Sequence, residues 1–252
     1  MKKTVARMLK ALHLWEFAFR VRRFLCQFLR IDAVRGAVGW ARYFLYSTLL
    51  RRLKTLQPAT SDVIHNTVFH NMKRVRSFYE LSAPRSSLLV HPLSSIRVSK
   101  SSPILSIGPR TEGELLNLIG YGFHNVRGLD LITYSPWVDA GDMHAMPYKD
   151  GQFGIIIMGW VIAYSNDRRK AAEEAVRVVR NGGIIAVGAE YMSRSAEETS
   201  AVIGYDLPLT PIQSVAEILG YFGDAVDHVY FSQDPPPGSN KCDVMAIFSV
   251  KK

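Results

Sequence analysis

Apolar residues recur three and four positions apart at the start of the chain. Val5, Met8, Leu9, Leu12, Trp15 and Phe19 form one stripe, with Lys3, Arg7 and Lys10 on another face, and the spacing predicts a helix over residues 4–31. A second basic and aromatic stretch runs from Val38 to Leu56. It places Trp40, Tyr43, Phe44 and Tyr46 ahead of Arg51, Arg52 and Lys54. Gln57 to Ser61 is a break, and Ser61 can cap a helix running to about Leu81 through Val63, Val68, Phe69, Met72, Val75 and Phe78. The stretch from Ser82 to Pro103 is rich in Ser and Pro, with one short apolar run, Leu88-Leu89-Val90.

From Pro103 the period changes. Ile104–Ile107, Val126–Leu131, Phe153–Met158 and Ile184–Val187 are short apolar runs that read as buried strands. Between them lie helical patterns at Glu112–Ile119, stopped by Gly120-Tyr121-Gly122, and Asp167–Val179, stopped by Asn181-Gly182-Gly183. A third follows at Pro211–Leu219. The alternation predicts an α/β fold with a doubly wound, mostly parallel sheet. Val226–Phe231 and Asp243–Val250 are joined across Asp234-Pro235-Pro236-Pro237-Gly238 without a helix, which predicts an antiparallel pair of strands at the sheet edge. The chain therefore divides into a basic helical arm (1–56), a helical cap and linker (57–102) and an α/β domain (103–252).

The charge sharpens this division. The 252 residues carry a net +9, but residues 1–56 hold 13 Lys and Arg against Glu16 and Asp32, and so +11, while residues 57–252 are at −2. The basic character belongs to the arm, which suits an anionic surface such as a membrane interface; a solvated arm packed on the body is the plainer alternative. Glu16 and Arg20 interrupt the apolar region that a signal peptide would need. No run approaches the ~18 apolar residues of a membrane span. Two cysteines, Cys26 and Cys242, provide no disulfide framework and fit a reducing compartment. These features predict a cytoplasmic protein, peripheral on the inner face of a membrane. His65 and His70 lie five apart, not at the i, i+4 spacing of a metal pair, and no metal site is expected.

In an open α/β sheet, ligands sit beyond the carboxyl ends of the strands. The first strand–helix turn is Gly108-Pro109-Arg110-Thr111-Glu112-Gly113-Glu114, and the second strand ends near Asp130, where a carboxylate can accept hydrogen bonds from ribose hydroxyls. With Ile-Leu-Ser-Ile-Gly (104–108), Gly-Leu-Asp (128–130), Gly-Asp-Met-His-Ala-Met-Pro-Tyr (141–148), Gly-Gln-Phe (151–153) and Arg-Val-Val-Arg-Asn-Gly-Gly (177–183), residues from Pro103 onward resemble class I S-adenosylmethionine-dependent methyltransferases. The resemblance implies a Rossmann-like sheet of seven strands and S-adenosylmethionine as cofactor. It implies that Gly108 and the turn after it line the methionine part, and that Asp130, with Leu131 beside it, holds the ribose. Asp142 would accept from the adenine amine and Met143 would pack on the ring. Gly159 and Trp160 would face the methyl group and the substrate.

This chain departs from the family pattern in the turn. Arg110 and Glu112 stand at expected glycine positions, Ser106 stands where an acid often supports the turn, and Gly154 replaces an acid. Arg110 would either block the pocket or pair with the cofactor carboxylate, with Glu112 or Glu114 taking the amino group. His144 is a candidate general base, and Trp160 and Tyr164 are candidates for the catalytic pocket. The function expected is methyl transfer to a small-molecule, lipid or glycan acceptor, at a membrane surface. The rival is a non-catalytic binding or scaffold protein of the same fold, attached to a membrane by its arm. The −2 charge of residues 57–252 counts against a nucleic-acid substrate.

Overall fold

The computed structural model describes residues 20, 21, 24–56, 72, 74–193 and 211–252. The predicted stripe from Val5 to Phe19 and the helix start at Ser61, with Val63, Val68 and Phe69, lie outside the described residues.

Helix α1 spans Asp32–Tyr43 and continues as a π-helical turn over Phe44–Leu49. A short strand, β1 (Lys54–Thr55), follows, and then helices α2 (Phe78–Ser82) and α3 (Ser87–Ser95). The α/β part runs β2 (Ile104–Ile107), α4 (Gly113–Gly120), β3 (Val126–Asp130), β4 (Ile132–Thr133), β5 (Val138–Ala140) and β6 (Phe153–Gly159). It continues through α5 (Arg168–Val178), β7 (Val179–Met192), α6 (Val215–Phe222), β8 (Val226–Gln233) and β9 (Lys241–Val250).

Seven of these strands form one sheet in the order β5-β3-β2-β6-β7-β9-β8. The first five are parallel; β9 is antiparallel to both β7 and β8, the latter as the proline-rich connection predicts. The central strands are apolar on both sides because both faces are covered. Leu105, Ile107, Ile156, Met158, Ile185 and Val187 meet α5 and α6 through Ala171, Ala175, Val178, Val215 and Ile218. The alternate positions Ile104, Ile155, Ile157, Ile184 and Ala186 meet Leu89, Val90 and Leu93 of α3 and Leu118 of α4. The Ser/Pro-rich stretch thus contains a helix with Pro92 inside it that seals one face of the sheet.

The described part of the arm lies on the body. Helix α1 crosses α2 so closely that a Cβ on Gly39 would stand 2.8 Å from the Leu81 carbonyl oxygen. Arg35 is fully buried and donates to the carbonyls of Ser82, Leu29 and Arg30, and to Asn117 Oδ1 of α4. These bonds satisfy a guanidinium that burial would otherwise penalise by several kcal/mol. The opposite side of the arm exposes Trp40 and Phe44, stacked at 5.8 Å, together with Leu45, Leu49 and Leu50. No helix among the described residues is long and apolar enough to cross a membrane.

Candidate functional site

The parallel strands β2, β3, β5 and β6 end on one edge, and the site residues expected from the sequence lie at the ends of these strands or in the segments that follow them. Beyond β2 the chain turns through Gly108 (φ +68°) and Arg110 (φ +53°) into α4. A left-handed arginine costs ~1 kcal/mol or more. Asp130 compensates for it: Oδ2 accepts the Arg110 backbone N–H at 2.7 Å, and Oδ1 accepts the Ile132 N–H at 3.2 Å. Burial pushes the Asp130 carboxyl above its ordinary pKa, and these two N–H groups oppose the rise. Asp130 therefore fixes the turn, and Leu131 beside it is tied to the arm by its carbonyl, which accepts the Leu56 N–H at 2.7 Å.

The side chains of the turn go three ways. Arg110 reaches toward α2, where Nη1 pairs with Glu80 Oε2 at 2.7 Å, while its Nε is buried without a partner. Glu112 turns to the arm. Its buried carboxylate takes both Nε and Nη2 of Arg42, the latter at 2.9 Å, and accepts the Ser135 hydroxyl. The Arg42 guanidinium lies 3.7 Å from the centre of the Trp137 ring. Glu114 turns under the turn, toward the sheet. Oε1 accepts the Ser106 hydroxyl at 2.5 Å, and burial raises its pKa to about 7. Its Oε2 lies 2.9 Å from where a Cβ on Gly159 would stand, so the glycine at the end of β6 leaves this carboxylate room in its present position.

The loop after β5 carries Asp142, Met143 and His144. Asp142 Oδ1 accepts the His144 backbone N–H at 2.9 Å and meets His144 Nδ1 at 2.6 Å; His144 Nε2 meets the Ser165 hydroxyl at 2.6 Å. The His144 bond, more than any other influence, holds the Asp142 carboxyl below its ordinary pKa. Both ring nitrogens are engaged, so His144 joins the loop after β5 to the loop after β6. Met143 packs on the edge of the core.

Trp160 follows β6 with φ +59°, a strained conformation for a bulky residue. Its indole N–H donates to Asp243 Oδ1 at 2.8 Å, and the Arg85 guanidinium lies 4.5 Å from the ring centre. Arg85 also pairs with Asp243 and Glu190. Tyr164 is half-exposed on the same loop.

The structure thus brings Gly108, Arg110 and Asp130 into one turn, sets Glu114 against Gly159, and joins Asp142 to His144. It draws Glu112 away toward Arg42. Arg42, Arg85, Ser165 and Asp243 were not singled out from the sequence. Each arrives from a distant segment, and no local spacing marks them.

Residues 107–187 match the family model described as a methyltransferase domain. No curated protein matches the chain. Among solved structures, the cyclase SpnF is 11% identical with a TM-score of 0.58, covering 79% of this chain and 99% of its own. A methyltransferase bound to the Trm112 activator of Haloferax volcanii is 15% identical with a TM-score of 0.54, covering 77% and 98%. A geranyl diphosphate methyltransferase, solved with its substrate and sinefungin, is 12% identical with a TM-score of 0.53, covering 70% and 80%. At these identities the likeness is one of fold.

Proposed function

We propose that this chain, whose residues 107–187 form a methyltransferase domain with S-adenosylmethionine as its cofactor, methylates a small-molecule, lipid or glycan acceptor at a membrane surface. The observation that carries this reading is the buried, unpartnered Nε of Arg110. It lies at the turn where the resemblance places the cofactor carboxylate. A buried donor without an acceptor is costly, and a bound carboxylate would satisfy it. Asp130 would hold the ribose and Asp142 the adenine amine, with Met143 as the apolar wall. Asp130 already accepts two N–H groups, but a carboxylate has about four acceptor positions, so it can receive a hydroxyl as well.

The cofactor supplies an electrophilic methyl group when bound. The protein's part is to hold the acceptor in line and keep water out, which supplies most of the rate in such transfers. In this reading Trp160, clamped by Asp243 and Arg85, is a rigid wall for the acceptor, and Tyr164 and His144 border it. The outward face of the arm supports a place at the membrane. Exposed Trp40, Phe44, Leu49 and Leu50 precede exposed Arg51, Arg52 and Lys54, the pattern of an interfacial anchor on an anionic, cytoplasmic leaflet.

A second reading, a non-catalytic binding or scaffold protein, is favoured by the covering of the turn. Val161 fills the space beside Gly108, where a Cβ would stand 2.5 Å from its side chain, and Arg42 occupies Glu112. The same fold serves a cyclase among the similar structures, so the fold alone does not require methyl transfer. Calorimetric titration with S-adenosylmethionine decides between them, with Arg110→Gly as the variant. If Arg110 holds the carboxylate, Arg110→Gly weakens binding by roughly 10- to 100-fold. Gained or improved binding in the variant would mean that Arg110 blocks an abandoned site.

A further inference from the structure

Glu114 sits in the first turn of α4, directly under the turn from Gly108 to Glu112, and is 7% exposed. Among the described residues its one hydrogen-bond donor is Ser106, on Oε1. The other oxygen faces the backbone of Gly159 at the end of β6. Among the described residues no cation accompanies this carboxyl: the nearby arginines are engaged elsewhere, Arg42 with Glu112 and Arg110 with Glu80. Glu112 is already paired with Arg42 of the arm and accepts the Ser135 hydroxyl, so its charge is matched without a ligand. A buried carboxyl without a counter-charge is held near neutrality, and burial has shifted this one accordingly. The turn thus has two incomplete groups of opposite sign, the Arg110 Nε and the Glu114 carboxyl. A zwitterion placed against the turn would complete both.

We propose that Glu114 is the acceptor for the α-ammonium group of the cofactor's amino-acid end, held in place for this by the Ser106 hydroxyl. This rests on the reading of the site as a cofactor site, and it assigns the ammonium to Glu114 and not to Glu112. The ammonium supplies the missing cation, and the carboxyl ionises fully when it binds. A methyl group at position 159 would stand 2.9 Å from Oε2 and displace the carboxylate end.

The test compares two thioethers of adenosine on the full chain by titration calorimetry. S-adenosylhomocysteine carries the amino-acid end and 5′-methylthioadenosine lacks it. The wild-type chain should bind both. Glu114→Gln, which keeps the shape but cannot become an anion, should weaken S-adenosylhomocysteine roughly 10- to 100-fold and leave 5′-methylthioadenosine within about twofold. Unchanged 5′-methylthioadenosine binding also shows that the variant is folded. Glu112→Gln should leave the ratio of the two affinities unchanged. If Glu114→Gln lowers both ligands equally, or neither, the assignment of Glu114 is overturned while the cofactor site stands. If the wild-type chain binds neither thioether, the cofactor reading itself falls and takes this inference with it.

Discussion

Arg42 and Glu112 form a two-pronged ion pair across 70 positions of sequence, with the Glu112 side chain fully buried and Arg42 about one-fifth exposed. One partner belongs to the basic arm and the other to the turn between β2 and α4. The pair makes the arm a component of the candidate site. Arg42 was counted in the sequence as part of the arm's charge, yet its charge is neutralised inside the molecule, as is that of Arg35 beside Asp32.

Arg42→Ala should therefore destabilise the fold by about 3 kcal/mol, because it leaves a buried carboxylate with the Ser135 hydroxyl as its remaining donor among the described residues. Adding Glu112→Gln should recover part of the loss. Urea unfolding of the two variants measures both, and equal stability of Arg42→Ala and wild type would refute the coupling of arm to turn.

Asp142 serves two purposes in our reading, holding His144 and receiving the adenine amine. Asp142→Asn keeps a carbonyl acceptor and should weaken S-adenosylmethionine less than Asp142→Ala, which should lose ~1–2 kcal/mol. Titration of both variants checks the order; equal affinities would remove Asp142 from the adenine site.

Glu114 gives the ligand-free protein a distinctive pH dependence. Its carboxyl is raised from 4.5 to about 7 in the folded chain, so the folded state binds the proton more tightly than the unfolded state. Its contribution to stability is full below pH 4.5 and is lost as the pH rises to about 7, by up to about 3 kcal/mol. Asp142 and Glu174, held low, act in the opposite sense, but below about pH 4. Denaturant unfolding at pH 5, 6, 7 and 8 should show the wild type losing stability relative to Glu114→Gln. A constant difference across the series would contradict the shift.

At the membrane the arm should act through two separable terms. Changing Arg51, Arg52 and Lys54 to Gln should remove much of the salt-dependent binding to anionic vesicles, at ~1 kcal/mol per basic residue near the surface. Trp40→Ala with Phe44→Ala should remove the part that survives high salt. Both sets leave Arg35 and Arg42 in place, so the arm stays docked. Absence of co-sedimentation with anionic vesicles at low salt would end the membrane proposal.

The α/β part was legible because its strands are apolar runs bounded by glycine. Ile104–Gly108, Val126–Asp130 and Phe153–Gly159 announce both their burial and the turns that follow them. Strand β5 was not, because Val138-Asp139-Ala140 is too short to show a period. Helix α3 was obscured by Pro92 and by its serines, which hydrogen-bond within the helix. In α1, Gly36 and Gly39 admit Phe78 and Leu81 of α2, a fit between distant segments that no local pattern shows. At the site, the turn at Gly108 and the strand end at Asp130 could be read along the chain, while Asp142 was a candidate only through the family resemblance. The sequence left Glu112 and Glu114 as alternatives, since what tells them apart is their partners Arg42 and Ser106, which meet them only through the fold.

The placement of β9 between β7 and β8 bears on how the chain is assembled during synthesis. Strand β8 leaves the ribosome before the strand that joins it to the sheet, and β7 waits with its outer edge unpaired over nine positions, from Ile184 to Met192. Until Lys241–Val250 is made, the sheet ends at β7, and the apolar partners of Val244, Ala246 and Phe248 face water. A nascent chain paused in the proline-rich connection would hence display an open strand edge, the surface on which chaperones act and from which misassembly starts.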